Sequence, residues 1–129
     1  MNKRKISVYT ATVGIFILVI NILAMKGSLY FVFWWFDMPM HFLGGFWIGL
    51  ITVLIFYKKF SKLGLTDNKK SILVYFASVF LIGLLWEFYE YFLEIFIKFD
   101  FANIVDSISD MLFDIAGSVL LLIGLKNKF

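Results

Sequence analysis

The sequence predicts an all-α integral membrane protein, a bundle of four transmembrane helices with both termini in the cytoplasm. Of its 129 residues, 62% are hydrophobic, whereas soluble domains average about 45–50%. Four apolar stretches reach the roughly 20 residues that a helix needs to cross a bilayer. Basic residues alternate between the connecting segments as four spans require. The lipid bilayer is therefore the expected environment of this multi-pass protein.

The four predicted spans cover about residues 6–25, 38–57, 71–97 and 107–125 of one transmembrane domain, residues 1–129. The first span follows "NKRK", so a cleaved signal peptide is the alternative interpretation. Its apolar run is about a full membrane thickness and no A-x-A-like site follows it. These features favour a retained helix.

The basic residues set the orientation. Only Lys26 and Lys98 fall on one side of the predicted membrane. The other side carries Lys3, Arg4, Lys5, Lys58, Lys59, Lys62, Lys69, Lys70, Lys126 and Lys128. Basic loops stay in the cytoplasm, so both termini are predicted inside and the aromatic stretch 29–36 at the outer interface.

Acidic residues show the opposite distribution. Among the nine acids, only Asp67 falls on the cytoplasmic side. The others are Asp37, Glu87, Glu90, Glu94, Asp100, Asp106, Asp110 and Asp114. Three sets have helical spacing: Asp37 with His41, the three Glu residues, and the last three Asp residues. We expect each set to face the bundle centre at a similar depth.

Glycines continue the His41 face of the second span. Gly44, Gly45 and Gly49 follow it at helical spacing. Small residues in such a pattern let membrane helices approach one another closely. The pattern therefore predicts close helix packing beside the acids.

Burying these acids requires a countercharge. One Asp near the middle of a spanning helix costs about 2.5–3.5 kcal/mol, and no Lys or Arg lies within the predicted second, third and fourth spans. The countercharge would be a proton, a metal ion, a cationic ligand or a partner chain. Alternatively, water fills the site.

Histidine and carboxylates together favour a divalent metal ion, Zn²⁺, Mn²⁺ or Mg²⁺. The predicted catalytic residues are His41, Glu87, Glu90 and Asp110. The predicted metal ligands are Asp37, His41, Glu87, Glu90, Asp106, Asp110 and Asp114.

Helix capping is a competing interpretation for some of these acids. "SISD", residues 107–110, fits a capping box in which Ser107 caps the fourth helix and Asp110 reaches back. Asp37 and Asp106 suit helix N-termini by the dipole. Capping does not account for Asp114, which lies two turns in.

Three classes of function remain. The first is a metal-dependent hydrolase or transferase acting on a lipid or its headgroup. The second is a structural or accessory subunit whose acids pair with a cationic partner membrane protein or within an oligomer. The third is an ion or proton relay, although the inner halves of the later spans lack acids. The basic loop 58–70 suits anionic lipid, so no nucleic acid partner is expected.

Three segments also resemble a known family. "DMPMHFLGG" (37–45), "WEFYEYF" (86–92) and "DSISDMLFDIAG" (106–117) are similar to the YjdF family of bacterial inner-membrane proteins. The VanZ-like family is a looser relative, which hints at cell-envelope processes. The resemblance implies an inner-membrane location. Its family-type positions are Asp37, His41, Glu87, Glu90, Asp106 and Asp110.

Overall fold

The computed structural model describes residues 1–97, 104–126 and 128, and all regular structure in this part of the chain is helical. The helices are α1 (Lys3–Lys26), α2 (Leu29–Val32), α3 (Asp37–Ile55), α4 (Tyr57–Leu63), α5 (Lys69–Ile97) and α6 (Ile104–Leu125). Four of them, α1, α3, α5 and α6, are long and apolar enough to cross a membrane. This confirms the predicted all-α class with four spans. Lys98, Asp100 and the side chain of Glu94 lie outside the described part.

The start of α6 contradicts the capping box expected at residues 107–110. Helix α6 begins at Ile104, before Ser107, so Ser107 and Asp110 both lie inside the helix. The capping-box interpretation of "SISD" is therefore wrong. Asp106 lies in the first turn of α6, as Asp37 does in α3. A carboxylate there is favoured by the helix dipole.

Met1 and Lys128 lie together at one end of the bundle, which we call the terminal end. The amino group of Met1 donates a hydrogen bond to the carbonyl oxygen of Lys128. The Tyr57 hydroxyl donates to the carbonyl oxygen of Met1 at 3.0 Å. The opposite end, where α3 and α6 begin, is called the far end.

The half of the bundle nearest the termini has an apolar interior, which we call the apolar half. The Tyr75 hydroxyl of α5 is fully buried there and donates to the carbonyl oxygen of Ser118 in α6 at 2.8 Å. The surrounding cluster comprises Ile6, Leu50, Val53, Phe60, Leu65, Tyr75, Leu121 and Leu125. Its side chains fill the space between the helices on that side.

Helices α3 and α6 touch through their backbones. A Cβ atom on Gly45 would clash with the carbonyl group of Asp114, and one on Gly117 would clash with that of Phe42. Only glycine fits at both positions, and this brings the two helices together. Helix α1 packs outside this pair, where the Trp47 indole N–H donates to the Thr10 carbonyl oxygen at 2.8 Å.

Candidate metal centre

The far half of the bundle holds the acidic cluster, which we define as Asp37, His41, Glu87, Glu90, Asp110 and Asp114. The His41 ring is at its centre. Its Nε2 atom lies 3.5 Å from Oδ2 of Asp37 and 3.7 Å from Oδ2 of Asp110. Its Nδ1 atom lies 3.5 Å from Oδ2 of Asp114. Nε2 therefore faces carboxylates from α3 and α6, whereas Nδ1 faces a carboxylate from α6.

Four of these side chains could share one ion. His41, Glu87, Glu90 and Asp110 each offer a ligand atom, and these atoms all lie within 4.8 Å of one another. Ligands at about 2.0–2.2 Å from one ion lie at most about 4.4 Å apart. Shifts of a few tenths of an ångström, on the order of side-chain adjustment, would bring the four atoms to that spacing. The predicted catalytic set is the set that the structure brings together.

The predicted site residues differ in solvent exposure, from buried in the interior to exposed at the rim. His41, Asp110 and Asp114 are buried, with exposed fractions of 6%, 6% and 4%. Glu87 and Glu90 are partly buried, and 40% of the Asp37 side chain is exposed. Asp106 is exposed one turn before Asp110, apart from the four converging side chains.

Glu87 carries an unusual oxygen atom. Its Oε1 is buried and has no hydrogen-bond partner among the described residues. Buried polar atoms in proteins are almost always paired, and a lone one points to a missing partner such as an ion or water. The position of this atom within the converging group makes it a natural ligand atom.

The Asp114 carboxylate packs against glycines of two neighbouring helices. A Cβ on Gly83 of α5 would lie 2.8 Å from Oδ2 of Asp114, and one on Gly44 of α3 would lie 3.6 Å from its Oδ1. The sequence indicated the α3 glycines but not Gly83. Its signal was present, because Gly83 stands four residues before Glu87 and so lies on the same face of α5.

Two aromatic residues near the cluster were missed from the sequence. The Trp86 indole N–H donates to Oε1 of Glu90 at 2.7 Å. The i, i+4 spacing of these two residues was the available signal. The Tyr30 hydroxyl donates to Oδ1 of Asn21 at 2.7 Å. Burial, followed by the charges of Asp37 and Glu90, raises the pKa of Tyr30 to about 12, so this α2 residue stays protonated.

The cluster has more negative groups than its own residues can balance. Five carboxylates surround one imidazole, and among the described residues His41 makes the cluster's ion pairs. Carboxylates this close repel one another, so some hold protons or a cation sits among them. A cation bound here would also give the lone oxygen of Glu87 a partner.

Comparisons with known proteins assign the chain to a family. A family model described as "Predicted membrane protein (DUF2238)" matches residues 2–127. Neither a curated protein nor a solved structure matches the chain.

Proposed function

The chain belongs to the family described as "Predicted membrane protein (DUF2238)", and we propose that it binds a divalent metal ion within the membrane and acts on a lipid or its headgroup. One observation carries the proposal: ligand atoms of His41, Glu87, Glu90 and Asp110 lie within 4.8 Å of one another. Membership is compatible with the YjdF resemblance and with an inner-membrane location.

The donor set favours particular metals. One imidazole nitrogen with three carboxylate oxygens suits Zn²⁺ or Mn²⁺ better than Mg²⁺, which prefers oxygen ligands alone. One divalent ion beside neutral His41 would offset part of the negative charge of the cluster. The remaining acids would hold protons or contact water at the rim.

Asp114 has a supporting role in this proposal. It faces Nδ1 of His41 at 3.5 Å, whereas Asp37 and Asp110 face Nε2. An N–H on Nδ1 would donate to Asp114 and leave Nε2 for the ion, which is the usual carboxylate–histidine–metal arrangement. We therefore propose Asp114 as a positioning residue, and we leave exposed Asp106 out of the ligand set.

The rim supplies the proposed chemistry. A metal ion bound in such a site can polarise a phosphoryl or carbonyl oxygen or activate a water molecule. Asp37 is half-exposed at the mouth and contacts the same nitrogen as Asp110. It is placed to accept a proton from a water molecule that enters from the far end.

The other two functions fit this geometry less well. A relay needs ionisable groups through the whole membrane, but the side chains that form the cluster in the apolar half include no Asp, Glu or His. A cationic partner helix would have to reach Asp110 and Asp114, which are buried between helices of this chain. Metal binding needs neither a continuous path nor an exposed acid.

Metal content and melting temperature test the proposal. We expect protein purified in mild detergent to hold Zn²⁺ or Mn²⁺ and to melt at a lower temperature after chelation. A ligand at a hundredfold excess over its Kd adds about 2.7 kcal/mol of stability. The Asp110→Asn variant should lose the metal and the chelator response.

The matched control is Asp106→Asn, the same change at an exposed acid one turn away on α6. It should retain the metal and the chelator response. If protons alone neutralise the cluster, Asp110→Asn is nearly isosteric and leaves stability unchanged or improved. A chelator-insensitive wild type with that behaviour would refute the metal proposal.

A further inference from the structure

A groove lies between α5 and α6 on the lipid-facing side of the bundle. Its volume is about 310 Å³, and it is open along the outer surface of the two helices. It is lined by Leu84, Glu87, Phe88, Tyr91, Ile104 and Ser107. The lining is mainly apolar and contains one acidic group.

The surroundings of the groove determine what fills it. Phe88 and Ile104 form its rim, with exposed fractions of 62% and 79%, on helices that are long and apolar enough to span a bilayer. A groove that opens toward the hydrocarbon region borders lipid chains and not bulk water. The available occupant is a hydrocarbon chain of a lipid.

Glu87 joins the groove to the acidic cluster. It lines the groove and also contributes a ligand atom to the group that includes His41. Its buried Oε1 has no hydrogen-bond partner among the described residues. Leu84 and Tyr91 are about 10 Å apart along α5 at about 1.5 Å per residue. The groove therefore runs from mid-bundle toward the far end and passes the cluster.

We propose that this groove binds one hydrocarbon chain of a membrane lipid and brings the polar linkage of that lipid to the Glu87 side of the cluster. This inference rests on the proposed function and adds the class of substrate, which is a lipid that carries a hydrocarbon chain. A soluble headgroup would enter at the mouth beside Asp37 and would not need the groove.

Retention of a lipid by purified protein tests the groove. The probe is phosphatidylglycerol, added to detergent-solubilised protein and counted by native mass spectrometry after washing. The Leu84→Trp variant fills the groove, and Leu85→Trp places the same ring on the neighbouring lipid-facing position, which is 66% exposed. We expect wild type and Leu85→Trp to retain one lipid per chain.

The Leu84→Trp variant should retain about tenfold less lipid, which is the lower range for a mis-sized hydrophobic pocket. Equal retention by the two Trp variants, or none by wild type, would overturn the proposal. So would displacement of the probe by glycerol 3-phosphate, because a headgroup without a chain would then suffice.

Metal content measured on the same samples separates the two proposals. Lipid retention without bound metal would refute the metal centre and leave the groove standing. Bound metal with equal retention by both Trp variants would do the reverse. If Leu84→Trp does not fold, Ser107→Phe fills the groove from α6, with Ile108→Phe at an exposed neighbour as its control.

Discussion

The apolar half and the acidic cluster are built from the same helices but have opposite interiors. Near the termini, α3, α5 and α6 meet through side chains such as Leu50, Tyr75 and Leu121. Toward the far end the same helices meet through His41 and carboxylates. Both halves present apolar side chains outward. The bilayer therefore constrains the exterior of each helix, and the interior is free to differ along its length.

The contrast indicates that one half holds the helices together and the other holds the acidic cluster. Helix association in lipid depends on close packing and polar contacts, because lipid chains are as apolar as leucine. The apolar half provides close side-chain packing between the helices. The far half holds acids that cost about 2.5–3.5 kcal/mol each when charged near the membrane centre, and protons or a cation must offset that cost.

The largest effect should come from the glycine contact between the halves. In the Gly117→Ala variant the new methyl group would clash with the Phe42 backbone. Overpacking typically costs about 1–3 kcal/mol, and we expect at least the upper value because backbone cannot move aside. Melting in detergent measures the loss.

Gly124→Ala on the same helix is the control, because a Cβ there meets nothing within 4 Å. Alanine should stabilise that position by up to about 1 kcal/mol through helix propensity. Equal melting temperatures for the two variants would mean that the α3–α6 backbone contact does not hold the halves together.

An intermediate effect is expected on metal affinity when a residue of the acidic cluster is changed. Asp114→Asn keeps the shape of the side chain but weakens the acceptor that faces Nδ1 of His41. Loss of such a supporting contact costs about 10–100-fold in metal affinity. Titration of Zn²⁺ or Mn²⁺ into metal-free protein measures this change.

Tyr75→Phe makes the converse change in the apolar half. It removes the hydroxyl that donates to the Ser118 carbonyl oxygen, so we expect a stability loss of about 1 kcal/mol and unchanged metal affinity. If metal affinity falls as far in Tyr75→Phe as in Asp114→Asn, the two halves are not independent.

The smallest effect concerns orientation, where no change in stability is expected. The chain has no cysteine, so single cysteines report which side of the membrane is accessible. Ser28→Cys lies in the far-end loop and Ser61→Cys in α4, and both positions are exposed. An impermeant thiol reagent added outside intact cells should label the first only. Labelling of Ser61→Cys instead would invert the predicted topology.

Local spacing predicted much of the cluster but not its limits. Asp106, Asp110 and Asp114 form one stripe by spacing, yet Asp106 is exposed and the other two are buried. The difference arises because α6 begins at Ile104, and its close packing against α3 comes further along, at Asp114 and Gly117. Spacing alone does not show where a neighbouring helix begins to cover a stripe.

The sequence by itself determined the membrane class, the four spans and the acids that need a countercharge, because these follow from composition and period along one chain. The tertiary structure alone decided which atoms meet. It placed Nδ1 of His41 against Asp114, packed Gly83 against that carboxylate, and opened a lipid-facing groove at Glu87. Those contacts join residues on different helices, and their distances depend on how closely glycines let the helices approach.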